Sequence, residues 1–106
     1  MSAAMRVEIG PCDDDAFLYI NGRYTVHTRL GEVRTFQRSV EDGNFDVRLL
    51  VVNSGGWAWR AKLRLLIAGQ EVVAIDEDGG SGFYTGSVYD KSWQFKIQGG
   101  KFTDFL

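Results

Sequence analysis

Two short acidic runs of the sequence carry the residue types that bind calcium in many proteins. Asp13, Asp14 and Asp15 form the first run, and Asp76 and Asp78 belong to the second. Calcium is a hard cation that takes carboxylate and carbonyl oxygens from irregular loops. The spacing does not match the twelve-residue EF-hand loop, so the alternative is that these acids are solvated turn residues. Asp13, Asp15, Asp76 and Asp78 are therefore candidate calcium ligands.

Trp57 and Trp59 stand directly after the glycine turn Gly55-Gly56. A three-residue hairpin loop that includes these glycines keeps the apolar faces of the two flanking segments together. This register predicts that Trp59 lies in the core beside Val51, and that Trp57 lies at the rim beside Asn53. A sugar ring can stack on a half-buried indole, so Trp57 is the candidate platform for a carbohydrate.

The segment that follows the tryptophans carries the densest group of basic residues. Arg60, Lys62 and Arg64 alternate with apolar residues, and the same hairpin register adds Arg48 beside Lys62. Such a stripe is typical of a solvent-facing strand. The alternative is a groove or face that meets an anionic partner or another copy of the chain.

Composition argues against several classes of function. The chain has 12 basic and 14 acidic residues, a formal net charge of −2 and an isoelectric point near 5.3, which disfavours nucleic acid or a membrane as partner. Cys12 and His27 are the only residues of their types, which removes cysteine zinc sites and limits any catalytic triad to one histidine. No phosphate-binding loop or serine elbow is present. We therefore expect a protein that is not an enzyme.

The sequence also gives an expectation about the compartment. Its first residues lack the apolar run of a secretory signal, and no segment approaches the roughly 20 apolar residues of a membrane helix. A single cysteine is compatible with a reducing compartment. We expect a cytoplasmic protein, or a secreted one if the sequence is a piece of a longer chain.

Alternation of apolar and polar residues with period two runs through most of the chain and predicts antiparallel strands. Met5, Val7 and Ile9 form one apolar face, and Leu63 and Leu65 belong to another. We expect eight or nine strands in a single domain of residues 1–106. Two packed sheets would cover every apolar face, which predicts a jelly-roll-like antiparallel β-sandwich. A small closed β-barrel is the alternative.

The dipeptide Asn21-Gly22 has the composition of a type I′ turn and predicts a hairpin of known register. The cross-strand pairs that follow are Tyr19 with Tyr24 and Phe17 with Val26. His27 would then lie on the face opposite these pairs, as an ordinary surface histidine.

Three further segments predict a central strand, an edge strand and a turn. Phe45 to Val52 becomes apolar on both faces, which predicts a central strand. Val33 to Val40 is less regular and predicts an edge strand, which leaves open whether Arg34 and Arg38 join the basic stripe. Gly69-Gln70 predicts a two-residue turn with glycine first.

If every connection reverses the chain direction, alternate loops lie at the same end of the sandwich. That end is expected to collect the loops around residues 13–15, 30–32, 53–56 and 76–82. The acids and Trp57 would then converge on one site. The expected ligand-binding residues are Trp57, Asp14, Asp15 and Asn53.

The segment Asp13-Asp14-Asp15-Ala16-Phe17-Leu18-Tyr19-Ile20-Asn21-Gly22-Arg23 resembles a hairpin of galactose-binding-like jelly rolls and of sugar-binding domains related to anthrax protective antigen. Gly43 to Asn53, Gly55-Gly56-Trp57 and Leu63-Arg64-Leu65 are similar to strands that close those sheets, and together the likeness covers about half of the chain. It implies a jelly-roll used for non-catalytic binding, often of carbohydrate, in some members through calcium. By the same resemblance, Asp14 and Asp15 would hold the calcium, with Asp13 as an alternative.

Two hypotheses of function follow. The first is a non-catalytic module that binds carbohydrate at the loop end, with calcium as its candidate cofactor. The second is a protein-interaction or assembly domain, such as a homo-oligomer, that uses a sheet edge or the basic face. The residues of that face are Arg48, Arg60, Lys62 and Arg64.

Overall fold

The computed structural model describes residues 1–56, 58–79 and 84–106. Among these residues it contains nine β-strands and no helix. In chain order the strands are β1 (Ser2–Ile9), β2 (Asp15–Ile20), β3 (Arg23–Thr28), β4 (Arg34–Glu41), β5 (Gly43–Gly56), β6 (Arg60–Ile67), β7 (Gln70–Asp78), β8 (Tyr84–Ile97) and β9 (Phe102–Phe105).

The strands form two antiparallel sheets that pack face to face. The four-stranded sheet has the order β4-β1-β6-β7, and the five-stranded sheet has the order β3-β2-β5-β8-β9. The predicted antiparallel β-sandwich is therefore confirmed. The alternative of a closed barrel is wrong, because β4, β7, β3 and β9 are free sheet edges.

The core lies between the two sheets, where the apolar faces predicted from the alternation meet. Met5 and Val7 of β1 lie beside Ile67 and Leu65 of β6, and all four side chains are fully buried. The five-stranded sheet adds a matching face, which includes the buried Phe95 of β8. Each such side chain stabilises the fold by roughly 1.5–3 kcal/mol relative to an exposed one.

The Asn21-Gly22 turn is confirmed, but one part of its predicted register is wrong. Both turn residues have positive φ angles, 52° and 76°, and Tyr19 pairs with Tyr24. Beyond this pair the register shifts by one residue, so that Thr25 is extra and Phe17 faces His27 instead of Val26. A bulge of this kind cannot be read from the sequence, and it moves His27 to the same face as Phe17.

The hairpin predicted at Gly55-Gly56, between the strands now identified as β5 and β6, is also wrong. β5 continues through Gly56, which pairs with Tyr84 of β8, and it lies between β2 and β8 in the five-stranded sheet. β6 lies in the other sheet. The chain therefore crosses from one sheet to the other after Gly56, and glycine-rich composition alone does not distinguish such a crossing from a hairpin loop.

The predictions of a central strand and of an edge strand are confirmed, whereas the turn predicted at Gly69-Gln70 lies one residue earlier. β5 is the central strand of its sheet, and β4 is an edge strand. The turn after β6 consists of Ala68 and Gly69, both with positive φ, instead of Gly69-Gln70. The shift follows from the pairing of Ile67 with Gln70, which makes Gln70 the first residue of β7.

Candidate binding site

The described parts of the loops expected at one end of the sandwich do lie there. β1, β3, β5 and β7 end at this loop end, and the strands that follow them begin there. Two contacts between distant parts of the chain show the convergence. Asp13 forms a bridge with Arg60, and the Ser54 hydroxyl donates a hydrogen bond of 2.5 Å to Asp14.

Three of the aspartates at the loop end have different partners. Asp14 accepts from Ser54, Asp15 lies 2.9 Å from the imidazole Nε2 of His27, and Asp76 forms a salt bridge of 2.9 Å with Arg60. In the parts of the chain that the structure describes, no three histidine, cysteine or acidic residues form a group that could hold a metal ion. The expected calcium site of Asp13, Asp14, Asp15, Asp76 and Asp78 therefore finds no support.

The predicted ligand-binding residues have separate roles in the structure. The side chain of Asn53 is buried, and its amide donates a hydrogen bond of 3.3 Å to the carbonyl of Ala58. Trp59 is half-buried and packs against the core, with its ring centroid 6.0 Å from that of Tyr89. The prediction for Trp57 falls outside the described residues, and so does the part of the prediction for 76–82 that concerns residues 80–82.

The basic stripe expected from the hairpin register is divided between the two sheets. Arg48 lies on β5 of the five-stranded sheet, whereas Arg60, Lys62 and Arg64 lie on β6 of the other sheet. The pairing of Lys62 with Arg48 is therefore wrong, and its physical reason is the chain crossing after Gly56. No single face presents all four cations.

Each arginine on the outer faces of the two sheets has a carboxylate partner. Arg48 donates two hydrogen bonds to Asp90, at 2.7 and 2.6 Å. The salt-bridge partners are Glu8 for Arg6, Asp76 for Arg60, and Glu71 for Arg64. The hydrogen bonds to these carboxylates are the main reason that the pKa values of Arg48, Arg60 and Arg64 are raised. These cations are neutralised within the molecule.

A different arrangement occurs on the side of the sandwich where the edge strands β3 and β4 lie near each other. Two adjoining cavities, of about 340 and 230 Å³, open there and share Thr25 as a lining residue. Arg29 and Arg34 line the larger cavity, and Arg23 and Arg38 line the smaller one. We name this feature the side groove, and its lining includes Arg23, Thr25, Arg29, Glu32, Arg34 and Arg38.

The charge of the side groove is not balanced by its own acids. Glu32 forms a salt bridge of 3.2 Å with Arg34, and the backbone N–H of Arg29 also donates to it. That backbone hydrogen bond, followed by the one from Arg34, lowers the pKa of Glu32. Among the described residues, Arg23, Arg29 and Arg38 have no salt bridge. Four arginines therefore face one glutamate.

The strand register explains how these arginines reach the side groove. Arg34 and Arg38 pair with Ile9 and Met5, which are buried, so both arginines occupy inward-facing positions of β4. Their side chains remain exposed because β4 is the edge of its sheet. On the facing edge strand, Arg23 occupies the inward-facing position beside Ile20.

Large apolar side chains flank the same side of the molecule. Apart from residues near the two termini, the exposed large hydrophobic residues in the described ranges are Tyr24, Leu30 and Val33. Tyr24 lines the larger cavity, and Leu30 and Val33 belong to the loop between β3 and β4. Arginine and tyrosine are enriched in protein interfaces, and exposed apolar patches mark binding surfaces.

The sequence contained a signal for part of this site. Arg34 and Arg38 are separated from Phe36 and Val40 by even numbers of positions, so all four residues share one face if the segment is a strand. Two charges then lie on an otherwise apolar face. Inward-pointing charges are a known feature of edge strands. The approach of Arg23 to Arg38 could not be read in the same way, because it depends on which strands form the sheet edges.

Comparisons with protein-family models, with curated proteins and with solved structures find no match to this chain. Within the described ranges, the structure has no helix that is long and apolar enough to span a membrane.

Proposed function

We propose that this protein is a non-catalytic interaction module that binds an acidic protein partner in the side groove. The main observation behind the proposal is that only some of the arginines have a carboxylate partner. Those on the outer sheet faces pair with carboxylates, whereas Arg23, Arg29 and Arg38 have no such partner among the described residues. A carboxylate-bearing partner would supply the missing charges.

The energetics of like charges support this reading. Cations that line the same groove repel one another, and solvent and salt reduce this repulsion for exposed side chains. An acidic partner would remove this repulsion and gain charge-assisted hydrogen bonds, since guanidinium groups bind carboxylates in a fork geometry. The side groove therefore favours anions although the whole chain carries a net charge of −2.

The apolar residues beside the groove support a protein as the partner. Tyr24, Leu30 and Val33 are between 56% and 63% exposed, which is unusual for such large side chains in a small domain. Protein interfaces commonly combine an aromatic or aliphatic anchor with arginine. A partner that covers these residues would bury apolar surface as well as neutralise charge.

The test compares two variants with the same change in net charge. The groove variant carries Arg29→Gln and Arg38→Gln, one from each cavity, and the outer-face variant carries Arg60→Gln and Arg64→Gln. Binding of a fluorescein-labelled glutamate-rich peptide is measured by anisotropy at about 50 and 300 mM salt. We expect the groove variant to bind about tenfold more weakly than the wild type, and the outer-face variant to differ by less than about twofold.

Two results would contradict the proposal. Equal losses in the two variants would mean that the peptide responds to net charge and not to the side groove. An absence of saturable binding at the lower salt concentration would remove an acidic peptide as the partner. Circular dichroism of each variant checks that the β-sandwich is retained.

Carbohydrate binding at the loop end is our second proposal. It is supported by the convergence of the loops that hold Asp14, Asp15 and Asn53 at the same end of the sandwich. Glycan-array binding with and without a calcium chelator tests it, with Trp57→Ala as the matched variant. We expect a glycan signal that the tryptophan variant loses, and an array without any signal would overturn this proposal.

A further inference from the structure

The edge of β4 differs from the other sheet edges of the molecule. β3, β7 and β9 each pair with their neighbour through an irregular register with a shift. β4 pairs with β1 over eight residues without any shift. Bulges and short strands protect sheet edges from further pairing, and β4 has neither of these protections. Its protection is the pair of inward-pointing charges of Arg34 and Arg38, which a strand with facing carboxylates would neutralise. Its outward backbone N–H and C=O groups are therefore arranged to accept another strand.

The inward-facing side chains of β4 give this edge a specific pattern. Arg34, Phe36 and Arg38 occupy alternate positions, and the guanidinium carbon of Arg38 lies 5.6 Å from the centre of the Phe36 ring. Phe36 is half-buried and packs against the core. The order is basic, aromatic, basic, with about 13 Å of strand between the two arginines.

We infer that the acidic partner adds an extended segment to the free edge of β4 as a further strand. This inference rests on the proposed function and specifies its binding mode. Residues that lie opposite each other on paired strands share a face of the sheet. The added segment would therefore place an acidic residue opposite each of Arg34 and Arg38, and an apolar residue opposite Phe36. Its pattern is acidic-x-apolar-x-acidic.

The facing edge strand fits this arrangement. β3 carries the shifted register at Thr25, so its own edge is unsuited to regular pairing. Thr25 lines both cavities, and its hydroxyl donates a hydrogen bond of 3.0 Å to the carbonyl of Arg23. β3 would thus form one wall of the groove, and β4 would provide the backbone groups for pairing.

A second copy of this chain is a less suitable occupant than another protein. The most acidic edge strand of the molecule is β7, but its register with β6 is shifted between Leu65 and Leu66. Two of its acids, Glu71 and Asp76, already pair with Arg64 and Arg60. Pairing of β7 with β4 of another copy would have to use an irregular edge with part of its charge neutralised.

The experiment uses the full chain and a set of labelled peptides. The test peptide has the core Asp-Thr-Val-Thr-Asp between neutral flanks, and the composition control has the core Val-Asp-Thr-Asp-Thr. Two further peptides have the test sequence with N-methylated backbone amides. One is methylated at the odd-numbered residues of the core and the other at the even-numbered residues. Binding is measured by anisotropy, and protection of the β4 amides is measured by hydrogen exchange.

We expect the test peptide to bind at least about tenfold more tightly than the composition control. One N-methylated peptide should lose about tenfold or more in affinity and the other should not, because only one set of amides faces β4. The test peptide should also slow hydrogen exchange of β4 amides. Arg34→Gln and Arg38→Gln should each reduce the preference for the test peptide over its control.

The other outcomes separate the inference from the function on which it rests. If the test and control peptides bind equally, with dependence on Arg29 and Arg38, the acidic partner stands and strand addition is overturned. If no acidic peptide binds but a sulfated oligosaccharide does, both the proposed function and this inference are overturned. Concentration-dependent dimerisation that slows hydrogen exchange of the β4 amides without peptide would overturn the inference of a partner segment. It would indicate that a second copy of the chain binds this edge.

Discussion

The outer sheet faces and the side groove each hold four of the eight arginines, and the two groups differ in how they are neutralised. On the outer faces, each arginine lies beside a carboxylate of its own or a neighbouring strand. Among the described residues that line the side groove, the one acid is Glu32, and it pairs with Arg34. The difference teaches that a small negative net charge can conceal a local excess of positive charge.

The position of each group in the sheets accounts for the difference. An arginine on an interior strand has a neighbouring strand on both sides, so a cross-strand acid is within reach. Arg60 and Arg64 of β6 obtain their partners from β7 in this way. An inward-facing arginine on an edge strand has an open side instead. Among the described residues, the one carboxylate that pairs with such an arginine is Glu32, which reaches Arg34 from the adjoining loop.

The largest effect that we expect from this comparison is on solubility. The double substitution Arg34→Val with Arg38→Val would make the inward positions of β4 entirely apolar along a regular, unprotected edge. Such an edge is a template for pairing with other chains. We expect the variant to self-associate at about 100 µM protein, which size-exclusion chromatography with light scattering would detect.

The matched control is Arg60→Val with Arg64→Val, which has the same spacing in the same sheet. These residues lie on the interior strand β6, so their replacement exposes no new backbone groups. We expect this control to keep the oligomeric state of the wild type although it loses three salt bridges, one of Arg60 and two of Arg64. Self-association of both variants would mean that added surface hydrophobicity, and not the edge of β4, is responsible.

The sequence predicted the fold well where the physical signal is local. Alternation over Met5, Val7 and Ile9 gave a strand with the correct buried face, because a half-buried strand needs period two. The Asn21-Gly22 turn was correct because few residues adopt positive φ at both positions of a type I′ turn. Both inferences depend only on residues close in sequence.

The incorrect predictions concern features that are decided by distant residues. Gly55-Gly56 suits a hairpin, but β5 instead continues beside β8, whose residues lie about 30 positions further along the chain. The extra residue Thr25 has no special composition, so nothing marked the register shift. For the same reason the side groove was only partly visible, since the sequence does not tell which strands become edges.

A second prediction uses the pH dependence of stability. Hydrogen bonds from Arg60 and Arg48 lower the pKa values of Asp76 and Asp90 in the folded protein. A carboxyl group with a lowered folded pKa stabilises the fold above its unfolded pKa, and this contribution is lost as the pH falls through the folded pKa. We therefore expect thermal stability to fall between about pH 5 and pH 3.

The variant Asp76→Asn with Asp90→Asn tests this assignment. It should be less stable than the wild type at about pH 5 and should lose less stability on acidification, because its two amides do not titrate. Arg23→Gln should keep the pH dependence of the wild type, since Arg23 has no salt-bridge partner among the described residues. An unchanged acid transition in the asparagine variant would show that other carboxylates dominate.

The smallest effect that we expect is the most direct test of the comparison. In the absence of a partner, Arg23→Gln with Arg29→Gln removes no ion pair within the described ranges and relieves repulsion between like charges. Its free energy of unfolding should lie within about 0.5 kcal/mol of the wild type or slightly above it. Arg60→Gln with Arg64→Gln should instead lower it, because both residues lose carboxylate partners. Urea denaturation at low salt measures the free energy of unfolding of both variants. An equal loss in the two variants would contradict the distinction between the two groups of arginines, since the substitutions in the groove would then remove a stabilising contact.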